Sequence, residues 1–201
     1  MFVDGQPARS ADLKIIPGTS RVFLDEEEIL PQEEFVYYLL NKPAGCITAT
    51  EDRSARTVLD LLPPSRRNLF PVGRLDKDTV GLLLITDDGQ LAHSLLSPRK
   101  HVAKTYYVEY TGILTEQDMF RLASGLDIGD DRPTAPAEVR TAGPGAVFLT
   151  ITEGRFHQVK RMLSAVGCEV IYLKRIRMGR RALPDDLPEG SWRKIEKGDI
   201  V

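Results

Sequence analysis

Two cysteines in 201 residues, Cys46 and Cys168, leave little room for disulfide or thiolate chemistry. They lie far apart, and neither belongs to a C-x-x-C pair, so two ordinary thiols in a reducing compartment are the plain expectation. Histidine is nearly as scarce. His93, His101 and His157 show no paired metal-ligand spacing, and nothing in the sequence argues for a zinc site. No apolar run approaches the ~20 residues of a membrane span, and the opening MFVDGQPARS lacks the basic-then-apolar plan of a secretory signal. These absences predict a cytoplasmic protein without membrane association. Internal repeats, low-complexity tracts and a glycine-rich nucleotide-binding motif are missing too, so no bound cofactor or metal is expected.

What is present suffices for a core. At 201 residues and 42% hydrophobic content the chain suits one substantial domain with a small appendage. A chain of that length buries roughly 70% of its unfolded surface and needs no covalent staple. The net charge of −2 says little, but its distribution says more. Residues 24–34 hold six acidic side chains and no basic one, whereas residues 151–181 hold eight basic against two acidic. A basic face of that kind is the footprint of a nucleic-acid partner, although a solvated surface of mixed charge has the same composition.

Periodicity predicts the elements. Asp4-Gly5 and Pro17-Gly18 mark turns in a small β-rich piece at residues 1–30, with a strand near Arg21–Leu24 and an acidic linker after it. FVYYLL, from Phe35, reads as a buried strand ending at Asn41-Lys42-Pro43, and a short helix is predicted over Thr57–Leu62, stopped by Pro63-Pro64. Val80–Thr86 is a central strand, closed by Asp87-Asp88-Gly89 and followed by a helix over Gln90–Leu96. Along 103–111 the alternation sets Tyr106, Val108 and Tyr110 on one face. Thr115 and Asp118 form a capping box for a helix reaching Ser124, and residues 137–142 and 146–152 form a hairpin. After Phe156, an apolar stripe of Val159, Met162, Leu163 and Val166 opposes His157, Lys160, Arg161 and Ser164. Gly167 ends that helix, and a strand at 169–178 sets Arg175 and Arg177 on one face. Strands outnumber helices and adjoin by hairpins. The fold class is α+β, a mainly antiparallel mixed sheet flanked by helices.

Three segments combine turn glycines with charge. In PVGRLDKDTVGLLLITDDG, Asp76 lies between Arg74 and Lys77 just before an apolar strand. Neighbouring cations keep a carboxylate ionised, which suits a nucleophile or base; a loop aspartate capping local N–H groups fits the pattern as well. EGRFHQVKRM presents a cationic helix face able to meet phosphates or hold a carboxylate. SPRKHVAKTYYVEY feeds a basic turn into a strand whose tyrosines suit either base stacking or half-buried packing.

In this order, GRLDKDTVGLL, KTY and EGRFHQVKRMLSAVG resemble the pseudouridine synthases that modify ribosomal RNA, particularly the small-subunit (16S) branch, and NKPAG and TDDGQLAHSLLSPR fit as well. The resemblance covers about residues 35–195. It implies isomerisation of uridine to pseudouridine, with Asp76 as the essential aspartate and the target base flipped from its stack. It further implies that Arg74 fills the vacated space, that Tyr106 packs on the base and assists proton transfer, and that Lys160 pairs with Asp76. Other branches have arginine at the position of Lys160, so one point charge replaces a two-pronged clamp. Leu75 and Val159 would line the pocket, and Arg74, Arg155, His157, Arg161, Arg175 and Arg177 are the candidate RNA contacts.

The implied organisation is a catalytic domain over 35–201 behind residues 1–30. The segment VDGQPARSADLKIIPGTSRVFLDEEEI resembles only the closing part of an alpha-L RNA-binding domain, without its helices. The expected partner is ribosomal RNA, bound by a monomer. Three alternatives stand beside this reading: a large-subunit (23S) synthase, a silent RNA-binding module, and a magnesium-dependent phosphatase. The last rests on Asp76-Lys77-Asp78-Thr79-Val80, which matches a D-x-D-x-[TV] motif.

Overall fold

The computed structural model describes residues 1–10, 12–16, 19–29 and 34–200. The chain divides into two compact units, Met1–Glu34 and Phe35–Val201. In the first, strands β1 (Phe2–Val3), β2 (Gln6–Pro7), β3 (Val22–Leu24) and β4 (Glu27–Ile29) form an antiparallel sheet in the order β2-β1-β3-β4. Asp4-Gly5 turns the first hairpin with φ of +50° and +80°, the left-handed pair that matches strand twist. Pro17-Gly18 lies outside the described residues. The acidic stretch is not simply a linker. Asp25 and Glu26 also take positive φ and turn the β3–β4 hairpin, so Glu27–Ile29 is strand.

The second unit is built on a nine-stranded sheet. Its path runs β13 (Trp192–Ile195), β5 (Tyr37–Lys42), β7 (Val80–Thr86), β11 (Glu169–Met178), β8 (Lys104–Thr111), β10 (Ala146–Ile151) and β9 (Glu138–Gly143). Short strands β6 (Phe70–Pro71) and β12 (Arg181–Ala182) pair with β7 and β11. All these pairings are antiparallel except β11 with β7.

Strand β7 explains the layers. Every residue of VGLLLIT is buried because both faces are covered. Leu83 and Ile85 join a cluster with Leu122 of α2 (Glu116–Ser124) and Val159, Met162 and Leu163 of α3 (Gln158–Ser164). Leu82 and Leu84 join Leu91, Ala92 and Leu95 of α1 (Gly89–Leu96) on the other side. The helix ends follow sequence chemistry. Asp88 caps α1 by accepting from the Leu91 N–H, and the Thr115–Asp118 capping box opens α2. Past α3, Gly167 at φ +76° lets the Cys168 N–H reach back to the Leu163 carbonyl.

The predicted helix over Thr57–Leu62 is reduced to one 3₁₀ turn, Leu59–Leu61. Asp60 Oδ2 accepts from both the Thr57 N–H and hydroxyl, and Val58 N bonds to Ile47 O, so neighbouring backbone is already committed. Six residues before a double proline are too few to recover the cost of nucleating a helix.

Candidate active site

A buried lysine shapes the loop that carries Asp76. Lys42, at the end of β5, is fully enclosed, and its Nζ reaches the carbonyls of Asp76 (3.0 Å), Thr79 (2.9 Å), Pro43 (3.1 Å) and Lys77 (3.3 Å). Burial pushes the Lys42 ammonium below its ordinary pKa, and the ring of carbonyl dipoles partly offsets the lost solvation. Gly45 N adds a bond to Lys77 O, while the Thr48 hydroxyl donates to Leu75 O and accepts from Leu75 N. The NKPAG segment and Thr48 therefore pin residues 75–79 from beneath, leaving the Asp76 side chain to project. Sequence reasoning missed Lys42 and Thr48; a cation ending an apolar strand was the available signal for the former.

The side chains that stand at Asp76 come from distant sequence, a lysine and a histidine, not from its neighbours Arg74 and Lys77. Asp76 Oδ2 lies 3.5 Å from Lys160 Nζ, and Oδ1 lies 3.4 Å from His157 Nε2. Lys160 is shared. It also contacts both oxygens of Asp78, at 2.7 and 2.8 Å, and this hydrogen bond holds the Asp78 carboxyl below the usual range. Asp78 was read only as part of a rival motif, yet it is the closer partner of Lys160. The arrangement is a partly exposed carboxylate, 28% accessible, 3.5 Å from an ammonium and 3.4 Å from an imidazole.

Tyr106 lies in the same cross-strand row as Lys42. Lys42 pairs with Gly81, Gly81 with Arg175, Arg175 with Tyr106, and Tyr106 with Leu149, a single row across five strands. Tyr106 is buried in one apolar cluster with Leu75 and Val159, the residues that precede Asp76 and Lys160. Gly81 is required here, because a Cβ would lie 2.3 Å from the Arg175 carbonyl oxygen.

Four expected RNA contacts divide differently. Arg175 is 2% exposed and donates from Nε to Leu82 O at 2.8 Å, so it belongs to the sheet interior. The register between β11 and β8 shifts between Arg175 and Arg177, which face Tyr106 and Thr105 respectively. One extra residue in a bulge reverses the alternation, so the two arginines lie on opposite faces, with Arg177 exposed. Arg155 is consumed by Arg132 O and Pro133 O, both at 2.7 Å, and by Glu153 and Asp130. Arg161 binds Ile128 O, Phe156 O and Asp130. These last two clamp the 128–133 loop to α3 and are not free for phosphate. Arg74 is exposed with no ion pair among the described residues, and His157 stands at Asp76.

A family model described as RNA pseudouridylate synthase matches residues 36–165. The chain belongs to this family of RNA pseudouridine synthases. An uncharacterized RNA pseudouridine synthase, YtzG, of Bacillus subtilis (strain 168) is 45% identical over 100% of this chain and 86% of its own length. Ribosomal small subunit pseudouridine synthase A of Escherichia coli (strain K12) is 40% identical over 99% of this chain and 87% of its own. A solved pseudouridylate synthase superposes with a TM-score of 0.78 at 35% identity, covering 99% of this chain and 86% of that one. Local structure also separates the family from a phosphatase. The aspartate pair follows β6, which runs antiparallel to β7, instead of a buried parallel strand. Both aspartates, moreover, contact one lysine.

Proposed function

We propose that this protein converts uridine to pseudouridine in 16S ribosomal RNA, with Asp76 as the catalytic carboxylate. The observation that carries the assignment of Asp76 is its position between Lys160 and His157 on a loop fixed by Lys42. The 16S substrate is supported by similarity to relatives named as small-subunit synthases.

The reaction breaks the C1′–N1 bond, turns the base and forms a C1′–C5 bond; C5 loses a proton and N1 gains one. No electrons are exchanged with a partner, so the chemistry calls for positioning and charge and not for a redox cofactor. The target uridine must first leave its stack, at a cost of a few kcal/mol. Arg74, exposed two residues before Asp76, is suited to fill the gap. Tyr106 would pack on the everted base, and Lys160 would hold the Asp76 anion while charge redistributes. We read residues 1–30 as the closing part of an alpha-L RNA-binding domain, residues 35–201 as the catalytic domain, and the protein as a cytoplasmic monomer.

Incubation with small-subunit RNA transcript, without added metal or cofactor, should yield pseudouridine at a defined position. Asp76→Asn should abolish product while RNA binding stays within severalfold. Wild-type turnover by that variant would overturn the catalytic assignment.

A further inference from the structure

Phe156 is 76% exposed beside the site. Its ring stacks on His157 with centroids 3.8 Å apart and planes at 18°. Consecutive side chains ordinarily diverge, in helix and strand alike. Here His157 takes a left-handed φ of +48°, which brings the two rings face to face. Such a conformation is unfavourable for a side-chain-bearing residue and persists only where its surroundings hold it. The far edge of the same imidazole stands 3.4 Å from the Asp76 carboxylate. The result is an aromatic step leading from solvent to the reactive group, with one ring face of Phe156 unable to be covered by His157.

We propose that Phe156 is a stacking platform for an unpaired nucleotide adjoining the target uridine, a binding role that rests on the uridine-isomerising reading above. Everting a base strips its neighbours of one stacked face each. An exposed ring adjoining the reactive carboxylate replaces such a face, and aromatic stacking strengthens binding by about tenfold to a hundredfold per base. Stacking requires only a π-face, so the platform would accept any base and would serve positioning more than sequence readout.

The test combines protein and RNA changes after the modified uridine has been mapped with wild-type enzyme. Phe156→Ala should lose about tenfold in kcat/KM on the transcript, while Phe156→Trp stays within about threefold of wild type. Melting temperatures of both variants should match wild type, since the ring is exposed. An abasic residue is then placed at each neighbour of the uridine in turn. At one of the two positions it should cost wild type about tenfold and cost Phe156→Ala nothing further. An alanine variant within twofold of wild type, or losses that multiply instead of coinciding, would overturn the proposal. Absence of any pseudouridine from wild type would be a different failure, that of the underlying reading.

Discussion

Two groups of charge meet the same short helix and are built to opposite ends. On one side Arg155 and Arg161 are filled by backbone carbonyls and by Asp130 and Glu153, so that nearly every guanidinium proton has a fixed acceptor. On the other, Lys160 divides one ammonium between Asp78 at 2.7 Å and Asp76 at 3.5 Å, and His157 stands off Asp76 at 3.4 Å. The first arrangement is saturated and rigid, which is what attaching a loop to a helix requires. The second is shared between two carboxylates, with its contacts to Asp76 at the long end, which leaves Asp76 available to a substrate. Adjacent residues, Lys160 and Arg161, thus have unlike duties because different acceptors surround them.

The contrast can be broken from either side. Replacing Lys160 with Met should lower kcat by about a hundredfold, because a charge facing the proposed catalytic carboxylate is removed. Stability should change by less than about 1 kcal/mol, since the pair is partly solvated. Single-turnover assays and thermal melts together would show it. Arg161→Met should do the reverse. Unpairing carbonyls on the 128–133 loop should cost about 2 kcal/mol of stability, with turnover per folded molecule unchanged.

Acid titration sharpens the same point. The hydrogen bond from Arg161, ahead of that from Arg155, keeps the Asp130 carboxyl below its ordinary pKa. A carboxylate depressed in the folded state stabilises fully above its unfolded value, about pH 4, and loses that contribution as pH falls through the lowered one. Stability of Arg161→Met should therefore fall less steeply below about pH 4 than that of wild type. Denaturant midpoints across that range would measure the difference. The smallest effect is expected at Arg177, exposed and outside both groups. If it meets a phosphate, Arg177→Ala should weaken RNA binding uniformly and reduce the slope of log affinity against log salt by about one. An unchanged slope would remove it from the interface.

Much of this was legible in the residues. The α3 stripe of Val159, Met162 and Leu163 is buried as its spacing required, and Val80–Thr86 is the central strand its apolar run indicated. Asp76 and Lys160 could be named from the motifs that carry them. What misled was local reasoning about alternation and charge. Arg175 and Arg177 are two apart, and only a bulge in the pairing of β11 with β8 sends one inward and the other outward. Arg155 and Arg161 read as free cations until the carbonyls of residues 128, 132 and 133 are seen around them.

By itself, then, the sequence determined most of the elements, their buried faces and the family. These follow from periodicity and from motifs whose meaning is carried by neighbours in the chain. Tertiary structure alone decided which side chains stand at Asp76, that Lys42 holds its loop, and that Phe156 stands exposed on His157. A charge acts over a few ångströms of space, and its partners here are 81 and 84 residues away along the chain, counting from 76 to 157 and to 160.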